Sequence, residues 1–560
     1  MIFAKLTQSM KNSFLFSFLL LAFFTCFSQG QEEMPVSWTL NVISDVVPIE
    51  LPPLDIEQII LQDSINDLDK SLPYRYGIER PIQLDLSSDG VWTDIPYVGR
   101  IWQAAIKSPA AINLSINFER FRMPEGATLH LYNEDRTDIS KTYSHAQNRG
   151  NNQIASWFVE GETIWVEYFE PPGVSGEVML EIGSVIHGYR MGRISDLVGG
   201  LRGINDSGAC NYDVNCSIGE DFDDKKDIIK KAVALLTLGN GYLCSAALLN
   251  NTRADKTPYL LTANHCLENS DPSFWSVRFN WMSPNPICGT GEDSVDLQTN
   301  FTMSGAELKA NNSLSDFALV EMYNNIPESW DITFAGWDNS DDNPAYEIGI
   351  HHPNGDIMKI CRDDSGAVKE NANGTEVWLI GGASVGTGDG WEIGTTESGS
   401  SGSPLFDDYG KIIGQLYAGL SACDGLVNNN DYDIYGRFGV SWNAGTTPQS
   451  RLSDWLDPIN SGNTTVEALQ NSLGIPDNEV TGTLDIYPNP ATTVITVMNS
   501  RYPNLTYAFF NVVGQKLIEG NLSDSMNTIS VEGFTEGIYF LYLLDEDSDS
   551  SITKKIVVER

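Results

Sequence analysis

Cysteine placement is the feature that most constrains this chain. Of eight cysteines in 560 residues, seven (Cys210, Cys216, Cys244, Cys266, Cys288, Cys361 and Cys423) fall in one central stretch, and Cys26 lies in an apolar leader. In an exported protein such a cluster implies disulfides, so the centre should be one cross-linked domain between cysteine-free flanks. Seven is odd, which leaves one thiol free, and the spacing leaves the pairing open. Zinc is the weaker reading, because no CxxC pair is present.

The first 30 residues read as a secretory signal peptide. Lys5 and Lys11 open it, an apolar run follows over 14–27, and Ser28-Gln29-Gly30 suits cleavage before Gln31. The run is short for a bilayer span, and Phe24-Thr25 before Cys26 makes a poor lipoprotein box. The mature chain is therefore expected to be exported and soluble. Its formal charge of −41, from 75 acidic against 34 basic residues, repels nucleic acid and anionic membranes and argues against both as partners.

Hydrophobic patterning divides the remainder. Over 31–203, the stretches 112–118, 128–132 and 163–168 alternate at period two between Gly, Pro and Asn turns, which predicts half-buried strands of a β-sandwich. Its histidines, His130, His145 and His187, have no partner motif and read as structural. A glycine-rich linker follows over 196–208. The cysteine-bearing domain runs over 204–470, with a helix expected over 227–238 because Ile228, Ile229, Ala232, Val233 and Leu236 share a face. A linker over 471–482 leads to an all-β module over 483–560. There the acidic run 545–549 reads as a solvated hairpin tip, with a calcium loop as the lesser alternative.

Three central segments carry chemistry when read together. Thr262-Ala263-Asn264-His265-Cys266 ends an apolar strand, Ser315-Asp316 opens another, and Gly399-Ser400-Ser401-Gly402-Ser403-Pro404 makes a tight turn. A serine hydroxyl needs an adjacent imidazole to take its proton. The imidazole needs a buried carboxylate to fix its tautomer. The oxyanion needs converging N–H donors, here those of Gly399 and Ser401, which the glycines allow. Each segment alone is common, but the three in one domain point to a Ser401–His265–Asp316 triad. Gly399-x-Ser401-Gly402 sets the register against Ser400 and Ser403. His351-His352 offers competing imidazoles, but strand neighbours point to opposite faces and no HExxH accompanies them.

These motifs resemble the TAxHC, strand-opening Asp and GxSGxP of chymotrypsin-fold peptidases. More closely, residues 205–462 resemble bacterial lysyl endopeptidases, on residues 207–216, 262–266, Ile350-His351-His352-Pro353-Asn354, 399–404, Gly414-Gln415-Leu416, Tyr435-Gly436-Arg437 and 451–458. The resemblance implies an all-β, chymotrypsin-like double β-barrel acting as a monomer on proteins and peptides, with no cofactor or metal. It implies disulfides Cys210–Cys423, Cys216–Cys288 and Cys244–Cys266, with Cys361 free. Thr395 stands where trypsin-like enzymes carry their pocket charge. In the lysyl family the carboxylate instead lies in an Asp-x-Tyr-Gly-Arg segment, matching Asp433-Ile434-Tyr435-Gly436-Arg437 and implying cleavage after lysine. Tyr417 and Trp391 stand near the positions of that family's His and Trp beside the triad, so they join Asp433 as expected substrate-binding residues. Ser400 replaces the Asp that captures a freed N-terminus in the animal enzymes. Latency then falls to segment 31–203, which resembles the family's propeptide, with Arg202-Gly203 as one candidate processing site.

The last module resembles the type A sorting domains of Bacteroidota type IX secretion, on Tyr487-Pro488-Asn489-Pro490, Gly537-Ile538-Tyr539 and Lys554-Lys555-Ile556-Val557-Val558. That implies handling by this machinery, cleavage within 475–483, and a released or surface-attached product. The alternatives are a peptidase of Arg or broad preference and a dead peptidase scaffold serving as an adhesin.

Overall fold

A computed structural model describes residues 34–191, 205–372, 374–382, 385, 390–471, 484–499, 505–511, 515–522, 526–545 and 550–559. The leader, Arg202-Gly203 and the expected cleavage region 475–483 lie outside them. The chain divides into two compact units, 1–471 and 472–560, and is nearly all β with a few short helices. No helix among the described residues is long and apolar enough to cross a membrane.

The N-terminal part of the first unit is a sandwich of two five-stranded sheets. One is ordered Ile49–Glu50, Gly99–Lys107, Thr163–Glu170, Thr128–Asn133, with Val91–Ile95 also paired to Gly99–Lys107. The other is ordered Gly77–Asp85, Met179–Gly188, Asn113–Arg122, Ile154–Ala155, with Val159–Glu160 also on Asn113–Arg122. Inward residues Leu84, Ile116, Phe118, Leu131, Ile164 and Val166 fill the space between them. The expected half-burial departs from what is seen in Asn113–Arg122, whose first six residues are all buried. The second sheet's outer face is covered by the central domain, which explains the difference. Asn117 donates to the Gly239 carbonyl at 2.7 Å. Tyr74, Tyr76, Trp157, Ile186 and Met191 share one apolar cluster with Leu235, Leu243, Trp281 and Ile357.

The central domain rests on two mainly antiparallel sheets. The first runs Phe301–Ser304, Ser276–Phe279, Val233–Thr237, Tyr242–Leu249, Tyr259–Ala263, Phe317–Met322, Ala306–Asn312. The second runs Tyr212–Asp213, Lys359–Asp363, Glu347–His351, Pro404–Asp407, Ile412–Gly419, Asp433–Arg437, Thr375–Ile380, Val368–Ala372. Leu261, Phe317 and Leu319 of the first pack with Ile348, Ile350, Phe406 and Ile412 of the second. The helix expected over 227–238 is shorter and earlier, at Asp223–Ile229, and Val233–Thr237 is a strand buried along its whole length. A strand covered on both faces loses its alternation, so its apolar run mimics a helical face. Disulfides join Cys210–Cys423, Cys216–Cys288 and Cys244–Cys266, and Cys361 is free and buried.

The second unit pairs Leu484–Tyr487, Val494–Asn499 and Met526–Ser530 in one sheet, and Lys516–Leu522, Leu505–Asn511, Gly537–Asp545 and Ser550–Val558 in another. Asp545 faces Ser550 across the last strand pair; the rest of the acidic run, 546–549, on which the expected hairpin tip falls, lies outside the described residues.

Candidate active site

The buried strand Tyr259–Ala263 runs into a short 3-10 turn, Asn264–Leu267, that presents His265. The Cys244–Cys266 bridge ties this turn to the neighbouring strand. Cys244, His265 and Cys266 bring their ligand-type atoms within 4.8 Å, but both sulfurs are committed to the disulfide, so the cluster is not a metal site. Asp316 sits just before Phe317–Met322 at φ +52°. Its carboxylate takes the His265 backbone N–H at 3.0 Å on Oδ1 and meets Nδ1 at 2.8 Å on Oδ2. Its own carbonyl accepts the Asn264 N–H at 2.8 Å. One aspartate thus fixes both the backbone and the ring of His265, leaving Nε2 to face outward from the pair.

The serine turn is pressed against this strand. Gly402 has φ +79°, and a Cβ there would lie 2.2 Å from Thr262 Oγ1 and 2.7 Å from the Ala263 nitrogen. Only glycine permits that approach. Ser245 pins the turn from below: its N–H donates to the Ser401 carbonyl at 2.8 Å and its hydroxyl to the Gly399 carbonyl at 3.0 Å. The Ser401 hydroxyl donates to the backbone carbonyl of Lys70 at 2.8 Å. His265 Nε2 is buried with no hydrogen-bond partner.

The same Lys70 fills a closed pocket. Its ammonium reaches Asp433 Oδ1 at 2.8 Å, Thr396 Oγ1 at 2.8 Å and Ser421 Oγ at 2.7 Å, so three donors meet three acceptors. The other Asp433 oxygen accepts from Trp391 Nε1 at 2.7 Å, Thr396 Oγ1 at 2.8 Å and Ser421 Oγ at 2.5 Å. Lys70 is 4% exposed and Asp433 0%. Both hydroxyls donate to the aspartate and so turn their lone pairs toward the ammonium. A Cβ on Gly419 would fall 2.0 Å from Asp433 Oδ1, which explains a small residue beside the carboxylate.

Tyr417 lies beside the imidazole, with ring centroids 6.4 Å apart and planes at 47°. Trp391 does not join it there. Trp391 is a buried support of the Asp433 carboxylate, and its ring packs edge-on to Tyr435 at 6.3 Å. Asp433–Arg437 serves both halves of the site. Its Gly436 lets the Ser315 carbonyl come to 1.8 Å from where a Cβ would stand, and Gln415 Nε2 donates to that carbonyl at 2.6 Å. Thus the segment that carries the pocket acid also braces the residue before Asp316.

The neighbouring imidazoles have other partners. His351 Nδ1 meets Ser400 Oγ at 2.7 Å, and His352 Nδ1 meets the Asp356 carbonyl at 2.9 Å. Burial drives both below the ordinary imidazole range. His351 falls well below it, with added repulsion from His352 and Lys70, and His352 to about 4. Burial also raises the Cys361 thiol well above its usual value, which makes it an unreactive core residue.

Thr396, Ser421 and Lys70 were missed in reading the sequence. Thr395 marks only the absence of a trypsin-style pocket charge, and the hydroxyl that reaches Asp433 belongs to its neighbour Thr396. Lys70 is separated from Asp433 by 363 positions, and no local signal links them.

Residues 204–436 match the family model for the lysyl endopeptidase C-terminal domain. The central domain is thus similar to the C-terminal domain of lysyl endopeptidases. Residues 485–559 match the secretion system C-terminal sorting domain, which marks the chain for type IX export to the cell surface or the extracellular space. A lysyl endopeptidase of Pseudomonas aeruginosa is 25% identical over 302 residues, covering 50% of this chain and 60% of that relative. This chain therefore matches under two thirds of its relative's length. A solved structure of PorZ, described as an essential surface component of the type-IX secretion system of Porphyromonas gingivalis, aligns at 12% identity over 57% of this chain and 41% of its own. Its TM-score is 0.13, too low to bear on fold or function. These matches relate the chain to lysyl endopeptidases.

Proposed function

We propose that the chain is an exported serine endopeptidase that cleaves on the carboxyl side of lysine. Ser401 is the nucleophile, and His265 takes its proton at Nε2. Asp316, on Nδ1, holds the tautomer that leaves Nε2 free to accept and stabilises the imidazolium that forms. The N–H groups of Gly399 and Ser401 receive the oxyanion. Asp433 selects the lysine ammonium, with Thr396 and Ser421 completing its shell and Trp391 positioning the carboxylate. An uncharged P1 side chain would leave Asp433 buried without its cation, which costs about 3–5 kcal/mol when one partner of a buried pair is lost.

The observation that carries this reading is a single residue's double placement. The Lys70 side chain ends on Asp433 while its carbonyl oxygen accepts the Ser401 hydroxyl, so one lysine spans the distance from pocket acid to nucleophile that a P1 lysine has to span. Labelling of the secreted enzyme by a fluorophosphonate tests the nucleophile. The wild type should label and Ser401→Ala should not, with turnover of a lysyl ester falling on the order of 10⁶-fold. Labelling that persists in the variant would assign the nucleophile elsewhere.

A further inference from the structure

Lys70 lies in the N-terminal segment of this chain, not in a separate substrate. Resting on the peptidase reading above, we propose that Lys70–Ser71 is a processing site built into the precursor. In this proposal Lys70 occupies the specificity pocket as an internal P1 residue, and the enzyme opens its own pocket by cutting that bond.

A lysine is rarely buried unless paired, and a structural ion pair would explain the ammonium alone. It would not place the same residue's carbonyl on the Ser401 hydroxyl, 331 positions away. The segment is fastened on both sides of the bond. Upstream, the helix Ile56–Asn66 is held through Asp63, which accepts Arg75 Nε at 2.7 Å and Tyr189 Oη at 2.5 Å and pairs with Arg190 at 3.1 Å. Downstream, Tyr74–Arg75 pairs antiparallel with Tyr242–Leu243, and the Tyr76 and Gly77 N–H groups both donate to the Gly241 carbonyl at 2.9 Å. These anchors fix Lys70 over the nucleophile.

The bond is also protected. Leu72 N–H donates to the Asp69 carbonyl at 3.1 Å, closing a turn with Lys70 and Ser71 at its centre. The Asp69 side chain accepts the Ser71 N–H at 3.0 Å and its hydroxyl at 2.6 Å, spanning the bond. The Ser401 proton points at the Lys70 carbonyl oxygen rather than at His265 Nε2, which stays unpaired. Attack requires the turn to open, so the intact segment blocks the site and is cut slowly.

In the cut itself, Ser401 Oγ bonds to the Lys70 carbonyl carbon and its proton passes to His265 Nε2. The Lys70–Ser71 C–N bond then breaks, and that proton goes to the Ser71 nitrogen. Water hydrolyses the ester, leaving a Lys70 carboxylate, a Ser71 amine and a restored Ser401 hydroxyl. While both flanks stay anchored, the new amine remains close to the acyl-enzyme and re-forms the bond in competition with water; release of the upstream helix then carries Lys70 out of the pocket.

Two measurements on the full chain test this. Intact mass and N-terminal sequencing should find a new terminus at Ser71 in the wild type and none in Ser401→Ala. A fluorescein-labelled Ala-Ala-Lys-Ser peptide should bind uncut Ser401→Ala at least tenfold more weakly than Ser401→Ala/Lys70→Ala. Ser401→Ala/Lys70→Gln repeats the comparison with a side chain of similar length, and near-UV circular dichroism reports whether each is folded. An active enzyme with Lys70–Ser71 intact, cleavage of that bond in Ser401→Ala, or equal peptide binding by folded forms would overturn the inference. A wild type that neither labels with fluorophosphonate nor cuts lysyl peptides would instead overturn the peptidase reading.

Discussion

In the proposed mechanism two buried aspartates divide the work of this site, and their surroundings differ in one instructive way. Asp316 spends both oxygens on His265, one on the backbone and one on the ring, and leaves the far ring nitrogen unpaired. Asp433 collects Trp391, Thr396 and Ser421 on one oxygen and an ammonium on the other. As proposed, the first carboxylate orients a group that must still react. The second is complete only while a cation fills the pocket, so removing the lysine leaves a desolvated charge. An orienting carboxylate therefore affects rate on every substrate, whereas a pocket carboxylate affects the choice of substrate.

The largest test of that contrast is Asp316→Asn. It should lower kcat by about 10⁴-fold on lysyl and non-lysyl esters alike, since the amide favours the wrong imidazole tautomer. A loss confined to lysyl substrates would merge the two roles. Asp433→Asn should lower kcat/KM for lysyl substrates by about 100- to 1,000-fold. The same variant should leave hydrolysis of an ester with an uncharged P1 side chain undiminished or raised, because the cost of an unpaired buried Asp433 is removed there. Equal losses on both would show that Asp433 supports the fold of the site rather than its selectivity.

A smaller effect separates a histidine served by a carboxylate from one that is not. His187 meets only the Ser108 hydroxyl, at 2.8 Å, and burial, with repulsion from Arg80, lowers its pKa from 6.5 to about 4. The folded state binds this proton less readily than the unfolded chain. Its contribution to stability is thus present above pH 6.5 and is lost as pH falls toward 4. His187→Gln removes that dependence, so the drop in Tm between pH 6.5 and 4.5 should be shallower than in the wild type. An unchanged slope would mean that His187 takes up its proton in the folded protein.

Much of this site was legible because its parts are local. TANHC, Ser315-Asp316 and GSSGSP each carry a turn and a reactive group together, and Asp433 lies within a five-residue segment that also holds Gly436. What could not be read is what distance in sequence hides. Ser421, just after Ile412–Gly419, comes to Asp433 because that strand pairs with Asp433–Arg437 in the second sheet, and Thr396 reaches the same carboxylate from the stretch before the serine turn. The family resemblance puts Trp391 beside the triad, whereas its indole N–H lies on Asp433. The helix boundary failed for a related reason. Val233–Thr237 lies between two strands with both faces covered, and burial on every side erases the period that distinguishes strand from helix. Asn113–Arg122 was read as half-exposed because nothing in its own residues reports that another domain covers its outer face.

The most direct test of the central claim is a map of cleavage sites in a denatured protein mixture digested by the secreted enzyme. The account predicts cuts overwhelmingly on the carboxyl side of lysine, absent from a digest with Ser401→Ala. Predominant cuts after any other residue, or an undiminished digest by the variant, would contradict it.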